Sequence, residues 1–268
     1  MRSVSILLRR WLIDALDVLL PTECAGCREP GSTLCLPCRD QLREQLSTPL
    51  LVSRFATALP LLPLRDGVAE QTEDCLPVLP VYAAGAYLDE VASVIWAIKE
   101  QARPQLAAHF GAGFSRAIAA AVEHGRGQPA PLLVPIPATA RSKHKRGYWP
   151  LQEFFRHATG HNNAYQLLES TPGLNTQHHK AHHSQKLRSK AARAAAVAGT
   201  LTLNPVLSVA LKHRKVVLLD DVLTTGATLA EAYRILTRAG YQVIAAAVVA
   251  ATLPAGRNTA ETLKSAIG

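Results

Sequence analysis

Val216-Val217-Leu218-Leu219-Asp220-Asp221-Val222-Leu223-Thr224-Thr225-Gly226-Ala227-Thr228 joins an apolar strand, two adjacent carboxylates and a hydroxyl-rich turn to the start of a helix. A helix opening at or just after Thr228 presents unpaired backbone N–H groups and the positive end of its dipole, and Gly226 lets an anion approach the main chain. Thr224, Thr225 and Thr228 add hydroxyl donors beside Ala227. Asp220 and Asp221, placed at the strand end, can accept hydrogen bonds from a sugar diol or hold Mg²⁺ through water. The stretch therefore predicts a cradle for a phosphosugar. A plain strand-to-helix turn with ordinary capping needs one hydroxyl and accounts for neither the acidic pair nor the glycine between threonines.

The second dense signal is Cys24-x-x-Cys27 followed by Cys35-x-x-Cys38. Two such knuckles bring four thiolates onto one ion, and a closed tetrahedral sulfur set describes a structural zinc site. Gly26 and Gly31 are read as the residues that permit the tight turns. Disulfides are the alternative, and nothing in the chain points to an oxidising compartment. Cys75 stands alone and carries no assigned chemistry.

Around these signals the 268 residues divide into an N-terminal helix and zinc-ribbon module at 1–46, a proline-rich connection at 47–80, and an α/β body at 81–268. Residues 1–20, interrupted by Arg9, Arg10, Asp14 and Asp17, fit a short amphipathic helix docking on the body, and no apolar run is long enough to span a bilayer; the expected location is the cytoplasm. Within the body, strands are predicted at 81–87, 131–136, 165–168, 215–219 and 241–251, and helices at 89–102, 104–124, 151–159 and from Thr228 to about Ala239. Strands alternating with helices imply a mainly parallel sheet, with ligands beyond the carboxyl ends of the strands.

Net charge is +9, and from residue 141 to 193 Lys and Arg outnumber Asp and Glu ten to two. Arg141, Lys143, Lys145 and Arg146 crowd one loop after the strand Leu132-Leu133-Val134-Pro135-Ile136-Pro137, suited to a polyphosphate or a nucleic-acid backbone, which charge alone does not separate. Tyr148 and Trp149 offer stacking faces or pack into the sheet. His178, His179, His182 and His183 read as part of an anion-contacting loop rather than a metal site.

The apolar strand with Asp-Asp-x-x-Thr-Thr-Gly-x-Thr resembles the signature of type I phosphoribosyltransferases. With the two Cys-x-x-Cys knuckles and Val134-Pro135-Ile136-Pro137 ahead of Arg146-Gly147-Tyr148, the chain looks like the ComF family, also called GntX-like, over nearly its whole length. That resemblance implies an α/β fold with a mainly parallel sheet of the type I phosphoribosyltransferase kind, a four-cysteine zinc ribbon, phosphoribosyl pyrophosphate with Mg²⁺ as ligand, and a hood loop to which Gln185 and Arg193 correspond. The family's Arg-Gly-Phe-Asn-Gln is here Arg146-Gly147-Tyr148-Trp149-Pro150, and Ala196 and Leu201 stand where the family has Asn and Phe. It further implies a role in natural transformation, with single-stranded DNA on the basic face and the DNA-uptake machinery as partner. The alternative is an active phosphoribosyltransferase that moves ribose 5-phosphate to a nucleobase or amine, with Asp220 and Asp221 holding the ribose as charge develops. In either case Asp220, Asp221, Thr224, Thr225, Gly226, Ala227, Thr228, Arg141, Lys145, Arg146, Gln185 and Arg193 are the expected ligand contacts.

Overall fold

The computed structural model describes residues 22–61, 78–124, 129–158, 160, 164–171 and 199–254. In chain order the elements are α1 (Leu36–Gln45), β1 (Leu50–Leu51), β2 (Val81–Ala86), α2 (Asp89–Glu100), α3 (Gly111–His124), β3 (Leu132–Pro135), α4 (Ala140–Arg146), α5 (Pro150–Arg156), β4 (Leu168–Ser170), β5 (Leu201–Leu203), α6 (Pro205–Ala210), β6 (Lys215–Leu223), α7 (Ala227–Arg238) and β7 (Gln242–Ala251). Short 3₁₀ turns lie at Ser53–Phe55 and Pro104–Phe110.

Five strands form the main sheet in the order β1-β2-β7-β6-β3, parallel throughout except where β1 pairs antiparallel with β2. β7, Gln-Val-Ile-Ala-Ala-Ala-Val-Val-Ala-Ala, is buried from Val243 to Ala251, as a central parallel strand covered on both faces must be. Ala245, Ala247 and Val249 join one core with Phe114, Ala117, Ile118 and Ala121 of α3, while Ala246, Val248 and Ala251 join a second with Leu229, Ala232 and Leu236 of α7. From Ala245 to Val249 the period-two alternation of strand side chains thus feeds two layers of helix. A register shift opposite Val216 and Val217 makes Ile244 an extra residue in β7.

Three local features differ from the sequence reading. Residues 104–124 are not one helix: Pro104–Phe110 winds as 3₁₀, placing Ala107 and Phe110 three apart on the core side, before α3 begins at Gly111. The strand expected at 165–168 lies at Leu168–Ser170 and pairs antiparallel with Leu201–Leu203 in a separate two-stranded sheet. The connection at 47–80 contributes β1 to the main sheet and buries Leu50, Val52, Ala56 and Leu79; a strand of two residues has too little periodicity to be read from sequence.

Phe110 and Phe154 meet edge to face with ring centroids 5.2 Å apart, both fully buried. Phe110→Ala is expected to remove about 3–5 kcal/mol of stability, read as a lowered midpoint in urea denaturation.

Candidate functional site

The parallel strands end on one edge of the sheet, and there a cavity of about 1740 Å³ opens. Its walls include Tyr87 after β2, Ile136 and Pro137 after β3, Asp220–Thr228, and Thr252 after β7. β6 carries the acidic pair further than the sequence suggests: the strand continues through Asp220 and Asp221 to Leu223, because β7 supplies partners up to Ala251. The turn then closes on Gly226 at φ 81°, and α7 starts at Ala227 with no side chain capping it. A Cβ at Gly226 would meet Leu59 at 2.8 Å and Ala56 at 3.3 Å, while Ala58 N–H donates to the Thr225 carbonyl at 2.9 Å. Glycine is therefore required twice over, by backbone conformation and by the segment packed beneath the turn. With no side-chain cap, the first-turn N–H groups of α7 remain donors for a bound anion.

The acids are organised by their own backbone and by one lysine. Asp221 N–H donates to Asp220 Oδ1 at 2.8 Å, and Val222 N–H to Asp221 Oδ1 at 2.7 Å. Lys99 Nζ, at the far end of α2, donates to Asp221 Oδ2 at 2.8 Å. Burial, with the Asp221 charge adding to it, pushes the Asp220 carboxyl up to about 7, against the pull of the Asp221 amide and of Lys99. Tyr87, facing Lys99, Asp221 and Glu100, is raised as well, chiefly by burial.

The basic stretch after β3 is a short helix, α4, capped at its start by Thr139 Oγ1, which accepts from Ser142 N–H, and ended by Gly147 at φ 75°. Arg146 lines the cavity with its side chain 9% exposed; its Nε donates to the Lys99 carbonyl at 2.7 Å and its Nη2 to Glu100 at 2.8 Å, and Nη1 reaches Ser142 Oγ. Lys145, 68% exposed, pairs with the same Glu100 at 3.0 Å, outside the cavity wall. Tyr148 donates to the Ile98 carbonyl, and Trp149 is buried with Lys143 Nζ 4.9 Å above its ring, so both aromatics pack rather than offer free faces. The Arg141 side chain, Gln185, Arg193, the histidines at 178–183 and Cys75 lie outside the described residues.

Cys24, Cys27, Cys35 and Cys38 do come together, with all four sulfurs within 4.8 Å of one another. Burial would raise the Cys24 thiol, but the amides of Cys35, Cys27 and Gly26 outweigh it and bring it to about 6; Gly26 and Cys35 N–H each lie 3.4 Å from its sulfur. A thiolate is what a metal ligand requires. A Cβ at Gly26 would lie 2.6 Å from Cys38 Sγ, so this glycine serves close approach, and the left-handed residue of that knuckle is Arg28 at φ 67°. The cluster also adjoins the cavity: Glu23, Cys24, Ala25, Gly26 and Arg28 line it, and Arg103 Nη2 binds the Glu23 carbonyl at 2.8 Å.

Sequence reasoning missed Lys99, Glu100, Tyr87 and Trp96. All four line the cavity, and on α2 the lining positions Ala92, Ser93, Trp96, Lys99 and Glu100 form one helical stripe opposite the buried Val91, Val94, Ile95 and Ile98. That stripe was the available signal.

A family model described as phosphoribosyl transferase domain matches residues 182–265, the segment holding β6, α7 and β7. Adenine phosphoribosyltransferase of Mycobacterium avium is 52% identical over 52 residues, 19% of this chain and 29% of that protein. Its counterpart from Nocardia farcinica is 58% identical over 45 residues, 17% of this chain and 24% of that protein. The matches thus span less than a third of the length of these curated relatives. A solved structure titled as the allosteric regulatory enzyme of purine biosynthesis aligns over 60% of this chain and 33% of its own, at 13% identity and a TM-score of 0.29, a likeness too slight to carry argument. The cradle-bearing segment is similar to phosphoribosyltransferase domains.

An acid held near 7 in the fold but ionising near its ordinary value when unfolded makes stability fall as pH rises from about 4 to about 7 and stay level above. Asp220→Asn removes this effect. The melting temperature of the variant relative to the parent should rise across that interval and plateau beyond it, measured by thermal denaturation in a pH series. A flat difference would contradict the burial of the Asp220 charge.

Proposed function

We propose that the chain binds phosphoribosyl pyrophosphate at the end of β6 and transfers its ribose 5-phosphate group to an acceptor. The observation that carries this reading is the continuous array at one strand end: an uncapped α7 N-terminus on Gly226, threonine hydroxyls around it, and two carboxylates a few residues upstream, all lining one cavity. The α7 amides with Thr224, Thr225 and Thr228 hold the 5-phosphate, and Asp220 and Asp221 accept from the ribose diol. As positive charge develops at the anomeric carbon, the same carboxylates stabilise it across the ring. Asp220 and Asp221 are the residues that would hold Mg²⁺, and the ion would supply positive charge to offset the negative charge of the leaving group.

The four cysteines hold one structural zinc in this reading, supported by their clustering. Because the cluster forms part of the cavity wall, its loss disturbs the site as well as the N-terminal module. Cys24→Ser with Cys27→Ser should lower metal content from about one zinc per chain and weaken phosphoribosyl pyrophosphate binding, measured by elemental analysis and titration calorimetry. Retained stoichiometric zinc would overturn the assignment.

Single-stranded DNA binding and contact with DNA-uptake machinery rest on the ComF resemblance and on charge. Among the described residues, Lys145 and Arg146 are paired with Glu100. No helix of the described residues is long and apolar enough to cross a membrane.

Asp220→Asn with Asp221→Asn should weaken phosphoribosyl pyrophosphate by at least about tenfold, since hydrogen bonds to charged groups contribute roughly 1.5–3 kcal/mol each. Thermal-shift titration with Mg²⁺ reads this directly. Equal affinity in the double variant would show that the ribose is held elsewhere.

A further inference from the structure

We infer that Lys99 receives the pyrophosphate end of the ligand, a role that rests on the cradle reading above. Three observations converge on it. Lys99 Nζ lies 2.8 Å from Asp221 Oδ2, with its side chain only 11% exposed, so the ammonium is fixed in the cavity beside the carboxylate that accepts from the ribose. An ammonium has three donors, and Asp221 engages one in this contact, leaving others for an anion. Arg146, the described α4 cation that lines the cavity, is in contrast spent on scaffold: it binds Glu100, the Lys99 carbonyl and Ser142.

Covalent chemistry of the ligand supplies the direction. The pyrophosphate leaves from C1 of the ribose, and the nearer hydroxyl of the diol stands on the adjacent C2. A group hydrogen-bonded to the carboxylate that holds this diol is within reach of the C1 substituent, while the 5-phosphate sits at the opposite end of the sugar on α7. Lys99 thus bridges Asp221 and the departing pyrophosphate, an arrangement in which one cation both sets the acid and neutralises the leaving group. Its position is rigid because the last turn of α2 is clasped from outside: the Ile98 and Lys99 carbonyls accept from Tyr148 and Arg146, which satisfies helix-end groups that would otherwise be open.

The test separates contact with pyrophosphate from mere positioning of Asp221. Affinities of the full chain for phosphoribosyl pyrophosphate and for ribose 5-phosphate, which lacks the pyrophosphate, are measured by titration calorimetry with Mg²⁺ for the parent, Lys99→Met and Lys99→Arg. Lys99→Met should weaken phosphoribosyl pyrophosphate by about tenfold or more and leave ribose 5-phosphate unchanged or tighter, and Lys99→Arg should restore most of the loss. If Lys99→Met fails to fold, Lys99→Gln, uncharged but still able to donate to Asp221, carries the same comparison. An equal loss for both ligands would mean that Lys99 acts only through Asp221, and no loss for either would mean that it serves neither; both results overturn the proposal while leaving the cradle reading standing. A parent chain that binds neither ligand overturns the cradle reading, and this proposal with it.

Discussion

The parallel pairing of β6 with β7 is the constraint on which the rest depends. From Lys215 with Gln242 to Leu223 with Ala251, it draws two carboxylates into a strand whose partner β7 is apolar from Val243 onward, and it fixes where that strand must stop. The turn that follows has to reverse into α7 over a short path, which imposes φ 81° on Gly226 and leaves the helix N-terminus facing the cavity. The high Asp220 pKa follows from the same pairing, because burial in the sheet withholds water from a carboxyl that lies next to a second one. Chemistry at this edge therefore grows out of the sheet.

A second layer of organisation comes from α2. Its inner stripe, Val91, Val94, Ile95 and Ile98, docks the helix into the core, and its outer stripe ends in Lys99 and Glu100. Lys99 faces the acids of β6 while Glu100 faces the bases of α4, so adjacent residues of opposite sign balance two sets of charges that lie far apart in sequence. Each of these pairs is shielded to a different degree. Lys99 with Asp221 is the more enclosed and the less screened, whereas Lys145 with Glu100 lies in solvent and contributes little. The cysteine cluster joins the same wall through Arg103, which ties the knuckle carbonyl of Glu23 to the body.

The cradle and the cysteine set were legible in the sequence because each is nearly contiguous: a single strand-to-helix turn and two knuckles state their geometry through local spacing. The same holds for the long apolar strands, whose buried residues read as unbroken runs. What was not legible depends on distance along the chain. The contact between Lys99 and Asp221 crosses 122 residues, and a single lysine at a helix end looks like any solvated charge until the sheet brings it home. Arg146 was read as a ligand contact from its charge, and its pairing with Glu100 and the Lys99 carbonyl became visible only in the fold. The placement of β1 was likewise hidden, since two residues of strand carry no period, although its pairing with β2 extends the sheet and the following Ala56 and Leu59 support Gly226 from below.

The central claim is that the α7 N-terminus receives a sugar phosphate. Amide hydrogen exchange with and without phosphoribosyl pyrophosphate and Mg²⁺ tests it most directly, because the first-turn N–H groups of a helix carry no intrahelical partner. The account predicts slowed exchange at residues 224–229, strongest at the first turn of α7. Bound ligand with unchanged exchange there, and protection confined to other segments, would contradict it.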